Sequence, residues 1–197
     1  MSRRREAEFE IRFNPIGVVH TSSSREEVKS SFDGVDGWIE IYREYEDGLE
    51  GLDGYSHIII IAFLHETTAE QRKVLRVKPR RLARLGIRLD DIPEVGVFST
   101  DSPHRPNPIA LSIVELLERR GRTLFVRGLD LFDGTPVLDI KPYTYDRRIT
   151  CIRVPEWYQI LVNRVKDFLD REIPYRTFKS RHATGQIYNI VELPCRN

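Results

Sequence analysis

The feature that most restricts the fold of this chain is a series of short, strand-like segments separated by turn signals, with no long helix between them. Each segment is apolar or alternates between apolar and polar residues, as strands with a buried face do. The segments are Phe9–Val19, Gly37–Tyr45, Tyr55–Leu64, Val95–Thr100, Ala110–Leu117, Thr123–Leu129 and Val137–Tyr143. Strands at such close spacing favour a β-barrel or a β-sandwich over a sheet with intervening helices. The chain is therefore predicted to be mainly β.

The local patterns predict where some of these segments lie. Tyr55–Leu64 is apolar on both faces, so we expect it to be a central strand. In Gly37–Tyr45, Ile39 and Ile41 share one face opposite polar residues, which predicts a half-exposed strand. Thr21–Lys29 contains Ser-x-x-Glu spacings, which predict a short helical turn with a capped start.

The last quarter of the chain has a different pattern. Apolar residues between Glu156 and Asp170 recur at helical spacing, and Pro174 follows the end of that stretch. Gln186–Leu193 is predicted to be one more strand. We therefore expect a β domain over residues 1–150 and a C-terminal helix-plus-strand extension over 151–197.

Composition limits the class of protein more than it identifies a partner. A chain of 197 residues with 40% hydrophobic residues can bury one good core, and a net charge of +1 neither requires nor excludes a nucleic-acid partner. The two cysteines, Cys151 and Cys195, are too few for a disulfide framework, and we expect free thiols in a reducing compartment. No Cys/His cluster has metal-ligand spacing, and no apolar run is long enough to span a bilayer. A cytoplasmic protein without a metal or membrane partner is expected.

A proline-rich loop lies between two of the predicted strands. Each proline in it fixes φ, removes a backbone donor and pushes the preceding residue towards extended geometry. The prolines are Pro103, Pro106 and Pro108. They exclude a helix or a central strand and leave a stiff loop with polar side chains, namely His104, Arg105 and Asn107. Such a loop preorganises binding groups. The alternative is a rigid corner with Arg105 in a surface salt bridge.

Two further segments carry polar groups suited to a site. Asp133–Pro136 is a tight turn whose backbone amides are expected to be exposed and able to hold a carboxylate or hydroxyl, although a plain hairpin turn remains the alternative. On the following strand Asp139, Lys141 and Tyr143 alternate, so they share one face near a strand end. A carboxylate, an ammonium and a phenol there suit acid–base chemistry. The alternative is an ordinary outward Asp–Lys pair.

Taken together, four groups of motifs resemble a known family in order and spacing. They are Asn14–Thr21, Gly51–His57, Gly96–Thr100 with Ser102–Ser112, and Asp133–Tyr143. The chain from Phe13 to Tyr143 is similar to the TrmO, or TsaA-like, family of S-adenosylmethionine-dependent tRNA methyltransferases. No glycine fingerprint lies between a strand and a helix, so a Rossmann-type methyltransferase is not favoured.

The resemblance implies a fold, a cofactor and a substrate. Members of the family are compact β-barrels, bind S-adenosylmethionine and commonly form homodimers. They methylate N6 of the threonylcarbamoyl-modified adenosine beside the anticodon of tRNA. By position, the resemblance implies that the cofactor is contacted by His65, Glu66, Asp101, Leu111, Asp133, Gly134, Thr135 and Pro136.

Departures from the family pattern leave other functions open. Asp101 stands where the family usually has arginine, and His104 replaces a more usual apolar or small residue. The motif of the bacterial C-terminal module is matched only faintly here, at Asp170–Tyr175. The alternatives are a methyltransferase of the same fold with a different substrate, and a non-catalytic S-adenosylmethionine-binding regulatory module.

Catalytic roles follow from the chemistry of methyl transfer to a weakly nucleophilic, urea-like nitrogen that must lose a proton. A base or polarising group is expected among Asp139, Tyr143 and His104, with Lys141 orienting the carboxylate. The remaining loop residues, Arg105 and Asn107, are expected to brace the loop or to hold the base and its carbamoyl group.

A basic segment offers a candidate RNA contact. No acidic residue lies between Glu70 and Asp90, and such a cluster of cations can neutralise phosphates. The candidates are Lys78, Arg80, Arg81, Arg84 and Arg88. The alternative is a solvated surface without a partner.

Overall fold

A computed structural model describes residues 11–31, 33–80, 83, 87–149 and 151–172, with side chains up to residue 164 in the last helix. The strands, in chain order, are β1 (Gly17–His20), β2 (Val35–Ile41), β3 (His57–Phe63), β4 (Arg76–Val77), β5 (Val95–Gly96), β6 (Ile109–Arg120), β7 (Thr123–Leu129) and β8 (Pro136–Pro142). The α-helices are α1 (Arg25–Ser30), α2 (Ala69–Arg72) and α3 (Glu156–Glu172). Short 3-10 turns cover Arg43–Leu49, Leu89–Asp91, Val97–Ser99 and Tyr145–Arg147. No helix in these ranges is long and apolar enough to cross a bilayer.

The chain divides into two compact units. Unit 1 comprises Met1–Thr67 and Pro108–Tyr143, and unit 2 comprises Thr68–Asn107 and Thr144–Asn197. The sequence did not suggest that 68–107 separates from the strands on either side of it. The boundary near residue 150, drawn from the change in sequence pattern, stays a prediction.

Unit 1 is a closed antiparallel barrel with the strand order β1-β2-β7-β6-β3-β8. The sequence left a barrel and a sandwich open, and closure of the sheet decides for the barrel that the resemblance implied. β3 lies between β6 and β8, as its two apolar faces predicted. Its inward residues Ile58, Ile60 and Ala62 are fully buried, and the outward Ile59 is only 7% exposed.

The barrel is closed between β1 and β8 by a short stretch of pairing. β8 pairs with β1 only through Val137 and Pro136, but it continues along β3 as far as Pro142. Beyond Val137 the edge of β8 therefore has no β1 partner. The segment from Arg43 to Tyr55 covers the end of the barrel near this edge, with Leu49 buried in the core.

Some predicted elements are confirmed and others are corrected. α1 starts with the predicted capping box, in which Ser24 Oγ accepts from Glu27 N and a Glu27 carboxylate oxygen accepts from Ser24 N. The strand predicted at Val95–Thr100 is wrong beyond Gly96. Among the described residues β5 pairs only with the two-residue β4, and the chain then turns into a 3-10 segment.

Unit 2 has a small core of its own. Leu161 of α3 packs on Ile87 and Ile92, with Trp157 beside them, so the predicted helix is confirmed with an apolar face.

Cys151 is disulfide-bonded rather than a free thiol. The cysteine count excluded a framework of several bridges, but it still allowed one bridge. The strand predicted at Gln186–Leu193 lies outside the described residues.

Candidate functional site

Asp139 and Lys141 form a direct ion pair on the outer face of β8. Lys141 Nζ lies 2.7 Å from Asp139 Oδ2, and the backbone N–H of Ile140 donates to Asp139 Oδ1 at 2.9 Å. Both side chains remain about half exposed. The backbone of Tyr143 is fixed by a bond from its N–H to His57 O, and its side chain is half-buried. The pair holds a charged, oriented carboxylate at an accessible position.

Asp139 also lines a cleft of about 560 Å³ in unit 1. The cleft opens where β8 diverges from β1, and its polar lining comes from Glu44, Glu50 and Asp139. The rings of Tyr45 and Tyr55 line it as well, and no lysine, arginine or histidine among the described residues does. Its volume falls within the range of small-molecule pockets, about 300–1,000 Å³. The sequence singled out Asp139 but did not predict the other four residues.

Leu111 and Asp139 share a row across the outer face of the barrel. In the strand register Ile61 of β3 pairs with Leu111 on one side and with Asp139 on the other. Leu111 is 64% exposed, so its side chain points away from the core. Residues paired in this way lie on the same face of a sheet. One candidate for cofactor contact and one for catalysis are thereby brought close together.

His65 and Glu66 follow the end of β3, where the backbone leaves the barrel. His65 Nε2 lies 3.8 Å from Glu66 Oε1. Arg25 Nη1 donates to Glu66 Oε2 at 2.5 Å, although the two residues are far apart in sequence. The guanidinium of Arg25 also lies over the ring of Phe132, 5.5 Å from its centroid. Arg25, which sequence analysis missed, thus connects the end of β3 to the turn that begins at Asp133.

The Asp133–Pro136 turn is held by the barrel. The N–H of Gly134 donates to Val19 O at 2.9 Å, and the N–H of Thr135 donates to Phe132 O at 3.2 Å. The expectation that these two amides are free for a ligand is therefore wrong, because the first is bonded to β1 and the second to the carbonyl of Phe132 just before the turn. Gly134 has φ +77°, which favours glycine.

The side chain of Asp133 keeps one oxygen engaged with neighbouring residues. Asp133 Oδ1 accepts from Thr21 N at 3.2 Å and lies 3.5 Å from His20 Nδ1. The Asp133 side chain is 62% exposed. Of the candidate cofactor-binding turn, it is this carboxylate that remains accessible to a ligand, since Thr135 is buried.

The proline-rich loop belongs to unit 2 up to Asn107, and Pro108 begins the second segment of unit 1. The loop is neither helix nor strand, as predicted. Arg105 Nη2 donates to Val97 O at 2.9 Å and to Thr100 O at 2.5 Å, so Arg105 braces the loop from within. Arg105 Nε is buried and has no partner among the described residues. The backbone of His104 donates to Ser102 Oγ at 3.2 Å.

The other candidate residues of the loop are exposed. These are Asp101 and Asn107, whose side chains are accessible to a ligand. That they act together with Asp139 stays a prediction.

The basic segment is only partly described. Lys78 Nζ donates to Leu89 O at 3.1 Å, Arg88 lies 3.9 Å from Asp90, and Arg80 is exposed. The remaining candidates, Arg81 and Arg84, lie outside the described residues. An RNA contact by this segment stays a prediction.

Electrostatics anchor the turn beside the cleft. Arg119 Nε lies 3.0 Å from Asp53 Oδ1 and 2.9 Å from Oδ2, and Arg119 Nη2 also donates to Oδ2. These hydrogen bonds lower the pKa of the Asp53 carboxyl below its usual value. Asp53 therefore stays ionised at neutral pH and ties the cleft-lining residues Gly51, Leu52 and Tyr55 to β6.

Comparison with known proteins identifies the family. Residues 19–147 match the family described as the tRNA-methyltransferase O N-terminal domain. A Methanothermobacter thermautotrophicus protein named "Probable S-adenosyl-L-methionine-binding protein" is 43% identical over 143 residues, which are 71% of this chain and 95% of that protein. A Mus musculus protein named "tRNA (adenine(37)-N6)-methyltransferase" is 41% identical over 106 residues, 54% of this chain and 22% of that protein.

The fold gives the same result. A solved structure titled "Crystal structure of TrmO" is similar with a TM-score of 0.55 and 28% sequence identity, covering 74% of this chain and 64% of the other. The family match covers well over half of the chain, from β1 to the turn after β8. The chain belongs to the tRNA-methyltransferase O N-terminal domain family.

Proposed function

We propose that this protein is an S-adenosylmethionine-dependent tRNA methyltransferase that acts on N6 of the threonylcarbamoyl-modified adenosine beside the anticodon. The observation that carries the proposal is the arrangement on unit 1. Arg25 connects the His65-Glu66 end of β3 to the Asp133 turn. Leu111 and Asp139 flank one residue of the same strand, β3. Candidate cofactor contacts and a candidate base thus lie on neighbouring elements of one barrel.

The residues present fit the cofactor by charge and polarity. S-adenosylmethionine has a charged amino-acid end and an apolar, hydroxylated nucleoside, and it supplies a methyl group on a sulfonium. Glu66 and Asp133 offer accessible carboxylates, Arg25 offers a guanidinium, and Leu111 offers an exposed apolar side chain. We assign cofactor binding to these residues and to His65.

Asp139 is proposed to accept the proton from the N6 nitrogen. A urea-like nitrogen is a poor nucleophile until it loses that proton, so a fixed carboxylate close to it lowers the barrier. Lys141 holds the carboxylate in one orientation through the 2.7 Å contact. The cleft beside Asp139 has the volume to admit a base and its substituent. Tyr143 is kept as a second candidate for polarising the substrate.

Residues of unit 2 are proposed to bind the tRNA substrate. Asn107 is exposed and carries an amide suited to a carbamoyl group or a base edge, whereas the bonds of Arg105 favour a bracing role. His104 and Asp101 are assigned to the same loop surface. The cations of the basic segment, Lys78, Arg80, Arg81, Arg84 and Arg88, are proposed to contact tRNA phosphates. By its family, the protein is further proposed to be a cytoplasmic homodimer.

A second candidate function has specific support. The Methanothermobacter thermautotrophicus relative, matched over 95% of its length, is named only for binding S-adenosyl-L-methionine. Asp101 also reverses the charge that the family usually carries in the loop. A cofactor-binding module without catalysis, or a methyltransferase with another substrate, would be consistent with both observations.

The experiment that tests the proposal combines binding and methyl transfer. Calorimetry with S-adenosylmethionine establishes whether the cofactor binds. Transfer of a labelled methyl group to tRNA carrying threonylcarbamoyladenosine then establishes the reaction. Asp139→Ala is expected to lower the rate by about 100-fold or more, the usual contribution of a general base. Asp36→Ala removes a matched exposed carboxylate, paired with Arg127, and is expected to leave the rate unchanged.

The outcomes separate the candidate functions. Cofactor binding without methyl transfer to this tRNA, together with an unchanged modified adenosine in a deletion strain, favours the second candidate. Full activity of Asp139→Ala rejects the assigned base but leaves the cofactor assignment standing. Absence of cofactor binding by the intact protein rejects both functions.

A further inference from the structure

The ion pair between Arg25 and Glu66 has a geometry that suits a ligand carrying both charges. Arg25 Nη1 bonds to Glu66 Oε2, and the side chains are 64% and 31% exposed, so a small molecule can reach both groups. Arg25 uses Nη1 in this contact, and a guanidinium carries further N–H donors in a planar fork. The other carboxylate oxygen, Glu66 Oε1, faces His65 at 3.8 Å.

The surroundings hold this pair in place. Ser24, the residue before Arg25, caps α1 through the reciprocal bonds with Glu27, which fixes the first turn of that helix. Arg25 is also held over the Phe132 ring. Lys29 lies over the same ring at 5.8 Å, but its charge is already paired with Glu26 at 2.8 Å. Arg25 and Glu66 therefore present a paired cation and anion at the junction of α1, the end of β3 and the Asp133 turn, beside the exposed carboxylate of Asp133.

A zwitterion is the ligand that this pair accommodates without leaving a charge unpaired. A ligand with only an anion or only a cation would compete with one member for the other and strand the displaced group. A ligand that carries an ammonium and a carboxylate on one carbon can bind Glu66 with the first and Arg25 with the second.

We propose that Arg25 and Glu66 bind the amino-acid end of S-adenosylmethionine. Arg25 binds the carboxylate of that end and Glu66 binds its ammonium. This assignment rests on the proposed function, since it presumes that the cofactor binds at this junction. It gives Arg25 and Glu66, both already assigned to the cofactor site, defined chemical partners within the ligand.

Ligands that lack one part of the cofactor test the assignment by calorimetry. 5′-Methylthioadenosine lacks the whole amino-acid end, and decarboxylated S-adenosylmethionine keeps the ammonium but lacks the carboxylate. Arg25→Gln is expected to weaken S-adenosylmethionine about tenfold or more, the loss of one charge-assisted hydrogen-bonded contact. The same variant should bind 5′-methylthioadenosine within about twofold of the intact protein, and it should bind decarboxylated S-adenosylmethionine no more weakly than the intact protein does. Glu66→Gln should weaken the two ligands that carry the ammonium and spare 5′-methylthioadenosine.

Two controls separate recognition from a structural role. Arg127→Gln breaks a comparable exposed pair with Glu115 and should bind every ligand as the unaltered protein does. The unaltered protein itself should bind decarboxylated S-adenosylmethionine about tenfold more weakly than S-adenosylmethionine, a comparison that does not depend on the folding of any variant.

Equal loss of all three ligands in Arg25→Gln, or no loss at all, overturns the assignment. So does equal binding of S-adenosylmethionine and its decarboxylated form by the unaltered protein. In each of these cases cofactor binding by the unaltered protein leaves the proposed function intact. If the unaltered protein binds no S-adenosylmethionine, the proposed function fails and the assignment fails with it.

Discussion

Leu111 and Asp139 lie on opposite sides of Ile61, one strand away from it in each direction on the outer face of the barrel. Neighbouring strands are about 4.8 Å apart, so the two positions are separated by roughly 10 Å. A side chain assigned to the cofactor and a carboxylate assigned to proton transfer therefore face the same region.

Lys141 is predicted to position Asp139 rather than to bind substrate. Lys141→Ala should reduce kcat for methyl transfer by about tenfold while KM for tRNA stays the same, because the ion pair acts on the base alone. Lys141→Arg restores a cation and should recover most of the rate. Steady-state kinetics of the two variants check this, and a rise in KM with an unchanged kcat would contradict the positioning role.

Arg105 and Asn107 of the proline-rich loop are predicted to affect different properties, the first stability and the second methyl transfer. Arg105→Ala should lower the free energy of unfolding by about 1–3 kcal/mol, because it leaves the carbonyls of Val97 and Thr100 without their shared donor. Asn107→Ala should leave stability unchanged, since its side chain is exposed, but should lower methyl transfer. Denaturant unfolding and rate measurements on both variants test this. Full methyl transfer by Asn107→Ala would remove that residue from the proposed site.

The ion pair of Asp53 predicts a pH-dependent contribution to stability. Because Arg119 lowers the folded-state pKa of Asp53, the pair stabilises the fold above the ordinary aspartate value of 3.8. That contribution is lost as pH falls through the lower, folded-state pKa. Asp53→Asn should therefore be slightly less stable than the unaltered protein at pH 7, with a difference that shrinks in acid. Thermal midpoints between pH 7 and pH 3 measure it, and a difference that grows in acid would refute the sign.

Gly34 is predicted to tolerate substitution less well than Gly51. Both have positive φ, +73° and +78°, so alanine at either costs about 1–2 kcal/mol in backbone strain. A Cβ on Gly34 would also lie 2.3 Å from the Gly128 carbonyl carbon, whereas one on Gly51 would meet nothing within 4 Å. Gly34→Ala should thus lose at least about 3 kcal/mol in all. Urea unfolding of the two alanine variants compares them directly, and equal losses would refute the clash.

The basic segment predicts the salt dependence of tRNA binding. Replacing Lys78, Arg80 and Arg88 together by alanine should reduce the slope of log affinity against log salt by about 2, because each phosphate contact releases counterions. Replacing Arg120 and Arg127, which are paired with acids on the barrel, should leave the slope unchanged. Filter binding over a range of salt concentrations gives both slopes, and equal slopes for all proteins would show that the segment is a solvated surface.

Much of the fold was predictable because its signals are local. Alternation in Thr123–Leu129 and the double apolar face of Tyr55–Leu64 are set by which residues must be buried, and both strands form close to the predicted bounds. The capping box of α1 likewise depends on residues three positions apart. Val95–Thr100 failed because a strand also needs a partner of the same length, and none is provided by β4.

The sequence by itself determined the mainly β class, the family, the stiff proline loop and the face that Asp139 and Lys141 share. All of these follow from short-range periodicity, fixed φ angles and ordered motifs. The tertiary structure decided that Arg25 pairs with Glu66, that Arg119 pairs with Asp53, and that the amide of Gly134 donates to Val19. Only strand register and the closure of the barrel bring such distant groups within hydrogen-bond distance, and no local pattern encodes register across so many residues.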